Sequence, residues 1–235
     1  MAQYGIRVVP VSFYSEGKVY KDWVDITPAE AYALLQKDPQ SFKTSAISPA
    51  DCLNAYREAG QPAKAILCVT VSSKLSAVYN VALAAAREAA ARKGLAEVLK
   101  IAEATRDRVG LVALMDTVRY VYRTGRIPRV AAWAGSMLNI RPVFTIASGV
   151  PRFLGAVRNK ERGVDRLIKI MRSKVGQNPV HVAVMHAYAP DEAEKLKERV
   201  AAEFDCAELW LTEFSPVMGY ACGTGTLGLA FYSDD

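Results

Sequence analysis

The stretch Ala65–Ala85, AILCVTVSSKLSAVYNVALAA, limits what this chain can build more than any other. It begins with an apolar, β-branched run, Ile66, Leu67, Val69 and Val71, which reads as a buried strand. Four hydroxyls follow at the exit: Thr70, Ser72, Ser73 and Ser76. The alanine-rich remainder reads as a helix. A strand that breaks into a helix at a hydroxyl cluster is a ready anion site. The first helical N–H groups lack partners, the helix dipole favours negative charge, and the serines add donors. The plainer use of the same serines is as helix caps, with Ser72 or Ser73 in that role.

The remaining bounds are broad. At 235 residues, 51% apolar and 23% charged, the chain suits one large domain or two small ones, with ample core. No apolar run approaches the roughly 20 residues of a membrane helix. The opening residues MAQYGIRVVPVSF show neither an h-region nor a cleavage site, so no signal peptide is expected. The cysteines, Cys52, Cys68, Cys206 and Cys222, are far apart, and only His181 and His186 could join them, so no zinc site or other metal is expected. Reduced thiols, with Cys68 inside the buried strand, point to a cytoplasmic protein. The net charge of +6 gathers at Arg119–Arg129 and Arg158–Arg172. It fits a solvated basic face, an acidic protein partner, a phosphorylated ligand or an anionic membrane surface; nucleic-acid motifs are lacking.

Along the chain, Ile6–Phe13 reads as a strand bent or edged by Pro10. Thr27-Pro28-Ala29-Glu30 is a capping box that starts a helix running to about Lys37. Phe42–Ser45 reads as polar loop, and Ser48-Pro49 caps a helix ended by Gly60. A long helix is expected over 75–93 and another over 95–108, meeting at Gly94 with no strand between them. Gly110–Met115 is a buried strand, after which Asp116 caps a helix over Thr117–Arg123. Pro128–Leu138 reads as helical. Val143–Ala147 and Arg152–Val157 form a hairpin. Helices over 160–174 and 191–204 alternate with strands over 180–187, 207–212 and 226–232, the last two placed around a tight Gly-rich turn, Cys222–Gly225. The alternation predicts an α/β protein with two lobes, 1–108 and 109–235, and a ligand pocket between them.

Several segments together resemble the DegV family of bacterial fatty-acid-binding proteins. They are GIRVVPVSF (5–13), VYKDWVDITPAEAY (19–32), KTSAISPADCLNAY (43–56), VSSKLSAVYNVALAA (71–85), YRTGRI (122–127), LNIRPVFTIASGV (138–150), AVRNKERG (156–163) and PVMGYACGTGTLGLAF (216–231). The resemblance implies a two-lobed α/β fold enclosing an apolar tunnel at the lobe junction. It implies a non-enzymatic carrier, without cofactor, that presents a long-chain fatty acid to a fatty acid kinase. On that resemblance Thr44 and Ser76 bind the carboxylate, with Ala77 beside Ser76 and backbone amides around Cys222 and Gly223. Arg158 and Arg126 are implied in the kinase encounter or the phosphoryl step. The physics suits such a site: hydroxyls and amides hold an anionic head without a buried cation, and each buried CH₂ adds about 0.8 kcal/mol.

Three departures stand out. Ala221 occupies a position that is usually histidine in the family. Leu75–Tyr79 reads L-S-A-V-Y where the family has L-S-G-T-Y, so Ala77 narrows the backbone approach and Val78 lacks a hydroxyl. The family's first strand and one strand–helix unit have no counterpart, and Lys93-Gly94-Leu95 reads as the seam. Such shortening would expose sheet edges and favour a homodimer.

Two other functions fit parts of the chain. A serine hydrolase would use Ser72, Ser73 or Ser76 with His186 as base, although G-x-S-x-G is missing. An anionic-ligand or nucleic-acid binder would rest on charge alone.

Overall fold

The computed structural model describes residues 6–60, 66–76, 103–124 and 140–233. Two sheets organise them. A three-stranded antiparallel sheet is formed by β1 (Ser12–Ser15), β2 (Lys18–Lys21) and β3 (Lys43–Ser45), in the order β2-β1-β3. A six-stranded mixed sheet takes β4 (Gly110–Leu114), β5 (Arg141–Ala147), β6 (Val150–Val157), β7 (Val180–His186), β8 (Cys206–Glu213) and β9 (Leu227–Ser233). Its order is β6-β5-β4-β9-β7-β8, with only β7 and β8 parallel among the described pairs.

The helices begin where local chemistry dictates. α1 (Pro28–Lys37) has Thr27 as N-cap, Pro28 in its first turn, and the reciprocal Thr27–Glu30 bonds of a capping box. α2 (Pro49–Gly60) starts at Ser48, whose hydroxyl accepts from the Asp51 amide at 3.4 Å. α3 is the short Arg119–Arg123. α4 (Lys160–Val175) is capped by Asn159, which accepts from the Arg162 amide at 2.9 Å. Its buried stripe, Gly163, Leu167, Ile168, Met171 and Val175, keeps to one helical face. Gly163 lets α4 settle onto β4: a Cβ there would come within 2.6 Å of Leu114 Cδ1. α5 (Pro190–Glu203) buries Ala193, Leu196 and Val200. α6 (Pro216–Cys222) starts at Ser215, which accepts from the Met218 amide.

One apolar cluster joins α4 and α5 to the six-stranded sheet through Leu114, Val143, Leu167, Met171, Val182, Val184, Leu196 and Leu229. A second spans both sheets. It unites Phe13, Tyr32, Leu35 and Phe42 with Met115, Val118, Val121, Phe144, Ala187 and Cys222.

Several expectations need correction. Residues 66–71 are neither strand nor buried: Leu67, Val69 and Val71 are 45%, 87% and 47% exposed, and Cys68 is exposed as well. A strand is stabilised by hydrogen bonds to its neighbours, and no described strand lies beside this run. Residues 6–11 likewise form no strand, and β1 begins only at Ser12. Lys43–Ser45 is not loop: it pairs with β1, Thr44 opposite Phe13. Asp116 does not cap α3. Arg141 Nε, at 2.9 Å, and Lys160 Nζ, at 3.8 Å, draw its carboxylate away, and the Thr117 hydroxyl takes the Arg119 amide instead. The Gly-rich segment is not a hairpin turn. β7 lies between β8 and β9, and α6 fills the connection. The expected helices over 75–93 and 128–138 and the Gly94 seam lie outside the described residues, apart from the first two positions of 75–93. Of the helix expected over 95–108, residues 103–108 are described and are helical.

Candidate functional site

The residues singled out from sequence converge partly on the core that spans the two sheets. Thr44 is half-buried on β3, two positions after Phe42. Phe42 is fully buried and stacks on Phe13, with ring centroids 4.4 Å apart, and on Tyr220 of α6, at 5.4 Å. Tyr220 precedes Cys222 and Gly223 by one helical step. The Phe42–Tyr220 stack joins the segment leading into β3 to α6.

That end is built tightly. Gly223 is the C-cap of α6, with φ +90°, and its amide donates to the Gly219 carbonyl at 2.7 Å. A Cβ at 223 would lie 2.9 Å from Tyr120 Cε2, so glycine is needed both for the backbone angle and for the approach of the ring. Cys222 is buried and its thiol donates to the Met218 carbonyl at 3.0 Å. Burial pushes this thiol up to about 12, which keeps it protonated and inert. Gly225 continues the turn, its amide bonded to the Ala187 carbonyl at 2.8 Å. A Cβ there would lie 2.8 Å from the Asp116 carboxyl carbon.

Ser76 sits at the end of a short turn. The Ser72 carbonyl accepts from the Leu75 amide at 2.9 Å and from the Ser76 amide at 3.1 Å, while the Ser72 hydroxyl accepts from the Lys74 amide. This turn leans on the β5–β6 hairpin: Lys74 Nζ donates to the Ser148 carbonyl at 3.0 Å, and Ser72 packs at Gly149. The serines thus border the β5–β6 hairpin, and the strand expected to lead into them is absent from the described fold. Ala77 and Arg126 lie outside the described residues. Arg158 is exposed at the end of β6, and its carbonyl accepts from Arg141 Nη1 at 3.1 Å.

Several basic groups are paired. Arg141 and Lys160 engage Asp116, Lys160 also reaches Glu192 at 2.7 Å, Arg172 pairs with Glu203, and Arg199 bridges Asp165 and Glu203. These pairs tie α4 to α5 and to Asp116 after β4. Among the described residues no cluster of His, Cys, Asp or Glu is placed to hold a metal ion, and no helix is long and apolar enough to cross a membrane.

His186 is a structural residue. It is 6% exposed, and Nδ1 accepts from the Ala189 amide at 3.2 Å, which places the ring proton on Nε2. Burial holds its pKa below the usual imidazole value. The one basic lone pair of the neutral ring is thus already engaged at the start of α5.

Sequence reasoning missed two features of the junction. α6 carried the same signal as α1, a hydroxyl N-cap followed by proline (Ser215-Pro216), and could have been found. Arg123, whose guanidinium lies over the rings of Tyr120 and Tyr220, had no signal beyond its place in a basic run.

Comparison with known proteins agrees with this architecture. A DegV domain-containing protein of Clostridium perfringens is 27% identical over 263 aligned positions, covering 97% of this chain and 92% of the relative. One from Streptomyces coelicolor is 28% identical, covering 99% and 93%. Among solved structures, a DegV family protein from Thermus thermophilus, described by its fatty acid binding, superposes with a TM-score of 0.90 at 26% identity, covering 99% of this chain and 94% of that one. DegV of Bacillus subtilis shares the fold at a TM-score of 0.88 and 19% identity, covering 99% and 93%. The model of the uncharacterised DegV protein family matches residues 1–94 and 81–234, so the chain belongs to the DegV family.

Proposed function

We propose that this protein binds a long-chain fatty acid at the junction of its two sheets and serves as a carrier rather than an enzyme. The observation that carries the reading is the match, over 99% of the chain, to the Thermus thermophilus protein known for fatty acid binding. The local geometry supports it. Phe42, two positions before Thr44, stacks on Tyr220, two positions before Cys222, and the stack belongs to the apolar core common to both sheets. In this reading Thr44 and Ser76 donate to the carboxylate, with Ala77 and the amides near Cys222 and Gly223 around it, and an apolar tunnel takes the tail. Arg158 and Arg126 face a fatty acid kinase, the partner that would phosphorylate the bound acid.

The reading includes a two-lobe organisation over 1–108 and 109–235 with an internal shortening near Gly94. Two facts support it. The family match falls into two pieces that meet around that residue. The alignment to the Clostridium relative also spans 263 positions against 235 residues here, so the relative carries residues that this chain lacks.

Native mass spectrometry after mild purification tests the function. A co-purifying fatty acid is the expected result. A ligand-free protein that takes up no added fatty acid and turns over a generic ester would sink the carrier reading in favour of a hydrolase. The buried, engaged state of His186 speaks against that rival.

A further inference from the structure

Arg123 ends α3 with its guanidinium between two tyrosine rings, 5.1 Å from the Tyr120 centroid and 4.6 Å from the Tyr220 centroid. Tyr120 is three residues earlier on the same helical face and packs against Gly223. Tyr220 stacks on Phe42, which leads into Thr44. The two rings that hold the cation therefore reach, through one further contact each, Gly223 and the segment that leads into β3. Its Nε and Nη2 are buried and have no hydrogen-bond partner among the described residues.

Those two nitrogens form one edge of the guanidinium, the edge that takes a carboxylate side-on with two parallel hydrogen bonds. Burying charged donors without an acceptor is costly. Stacking on two rings orients the group but satisfies neither N–H, because cation–π attraction acts through the ring face. No carboxylate among the described residues pairs with it.

We propose that Arg123 is a carboxylate-binding residue of this site, its Nε–Nη2 edge receiving the ligand's two carboxylate oxygens between Tyr120 and Tyr220. This rests on the fatty-acid reading and sharpens it. The head group is then recognised by a pre-oriented cation as well as by neutral hydroxyls and amides, so the site selects acids over uncharged lipids of the same length.

The test is calorimetric titration of the delipidated full chain with hexadecanoate and, separately, with hexadecan-1-ol, for the parent, Arg123→Gln and Arg123→Lys. Arg123→Gln is expected to weaken hexadecanoate about 10- to 100-fold, the span of a hydrogen bond to a charged group, while hexadecanol affinity stays within about 2-fold. Arg123→Lys keeps the charge without the planar fork and should fall in between. Thermal melts check folding; should the glutamine variant fail to fold, the lysine variant carries the test. An unchanged preference for acid over alcohol in whichever variant folds overturns the proposal, as does an equal loss for both ligands. If the parent binds neither ligand, the fatty-acid reading itself falls and takes the role of Arg123 with it.

Discussion

Tyr32 of α1 covers Gly219 of α6: a Cβ at 219 would lie 2.6 Å from Tyr32 Cζ, and the Tyr32 hydroxyl donates to the Phe214 carbonyl at 2.9 Å. This contact ties the helix beside the three-stranded sheet to the helix that ends in the Gly223 turn. Tyr32 is fully buried, and burial raises the pKa of its phenol further above the ordinary range, so it stays a neutral donor. Gly219→Ala should cost about 1–3 kcal/mol by overpacking. Tyr32→Phe should cost about 1–2 kcal/mol by leaving the Phe214 carbonyl unpaired. Urea unfolding measures both. A fully stable Gly219→Ala would show that the two helices can separate without loss.

The carboxylate assignment makes a demand on two hydroxyls. Thr44→Val with Ser76→Ala should weaken hexadecanoate binding by about 100-fold or more, because two donors to a charged acceptor are lost. Both side chains are only half-buried, so the fold should tolerate the change. Titration calorimetry checks it, and unchanged affinity refutes the assignment.

His186 makes stability depend on pH. Its folded pKa lies below 6.5, first through burial, partly opposed by Glu213 and Glu192. Below 6.5 the unfolded chain takes up the proton more readily than the folded one. Stability is therefore complete above that value and is lost as pH falls through the window beneath it. His186→Asn retains an acceptor for the Ala189 amide and should flatten this part of the profile. The measurement is the urea midpoint for both proteins between about pH 7.5 and 5. Parallel profiles would assign the acid sensitivity to other groups.

The Asp116–Arg141 pair is about a third exposed on each side, so solvent screens it. A double-mutant cycle with Asp116→Asn and Arg141→Gln should give a coupling of about 0.5–1 kcal/mol that shrinks as salt approaches about 1 M. Arg141 also holds the Arg158 carbonyl, so Arg141→Gln should loosen the end of β6. Amide exchange at Arg158 and Asn159 would report that.

What sequence alone determined is what short-range chemistry decides. The Thr27–Glu30 capping box and the Ser48 cap are complete within a few residues, so those helices start where they read. The β5–β6 hairpin is similarly local. The family, too, was legible, because its segments keep their order and spacing along the chain. Pairing decided the rest. Ile66–Val71 has the composition of a strand, yet strand character needs a neighbour, and the run lies exposed and unpaired among the described residues. Lys43–Ser45 has the composition of a loop, yet β1 offers it a free edge and it joins the sheet. Arg123 was one basic residue among several until Tyr120 and Tyr220, a hundred positions apart in the chain, brought their rings against it. Such encounters depend on how distant segments pack, and only the tertiary structure sets them.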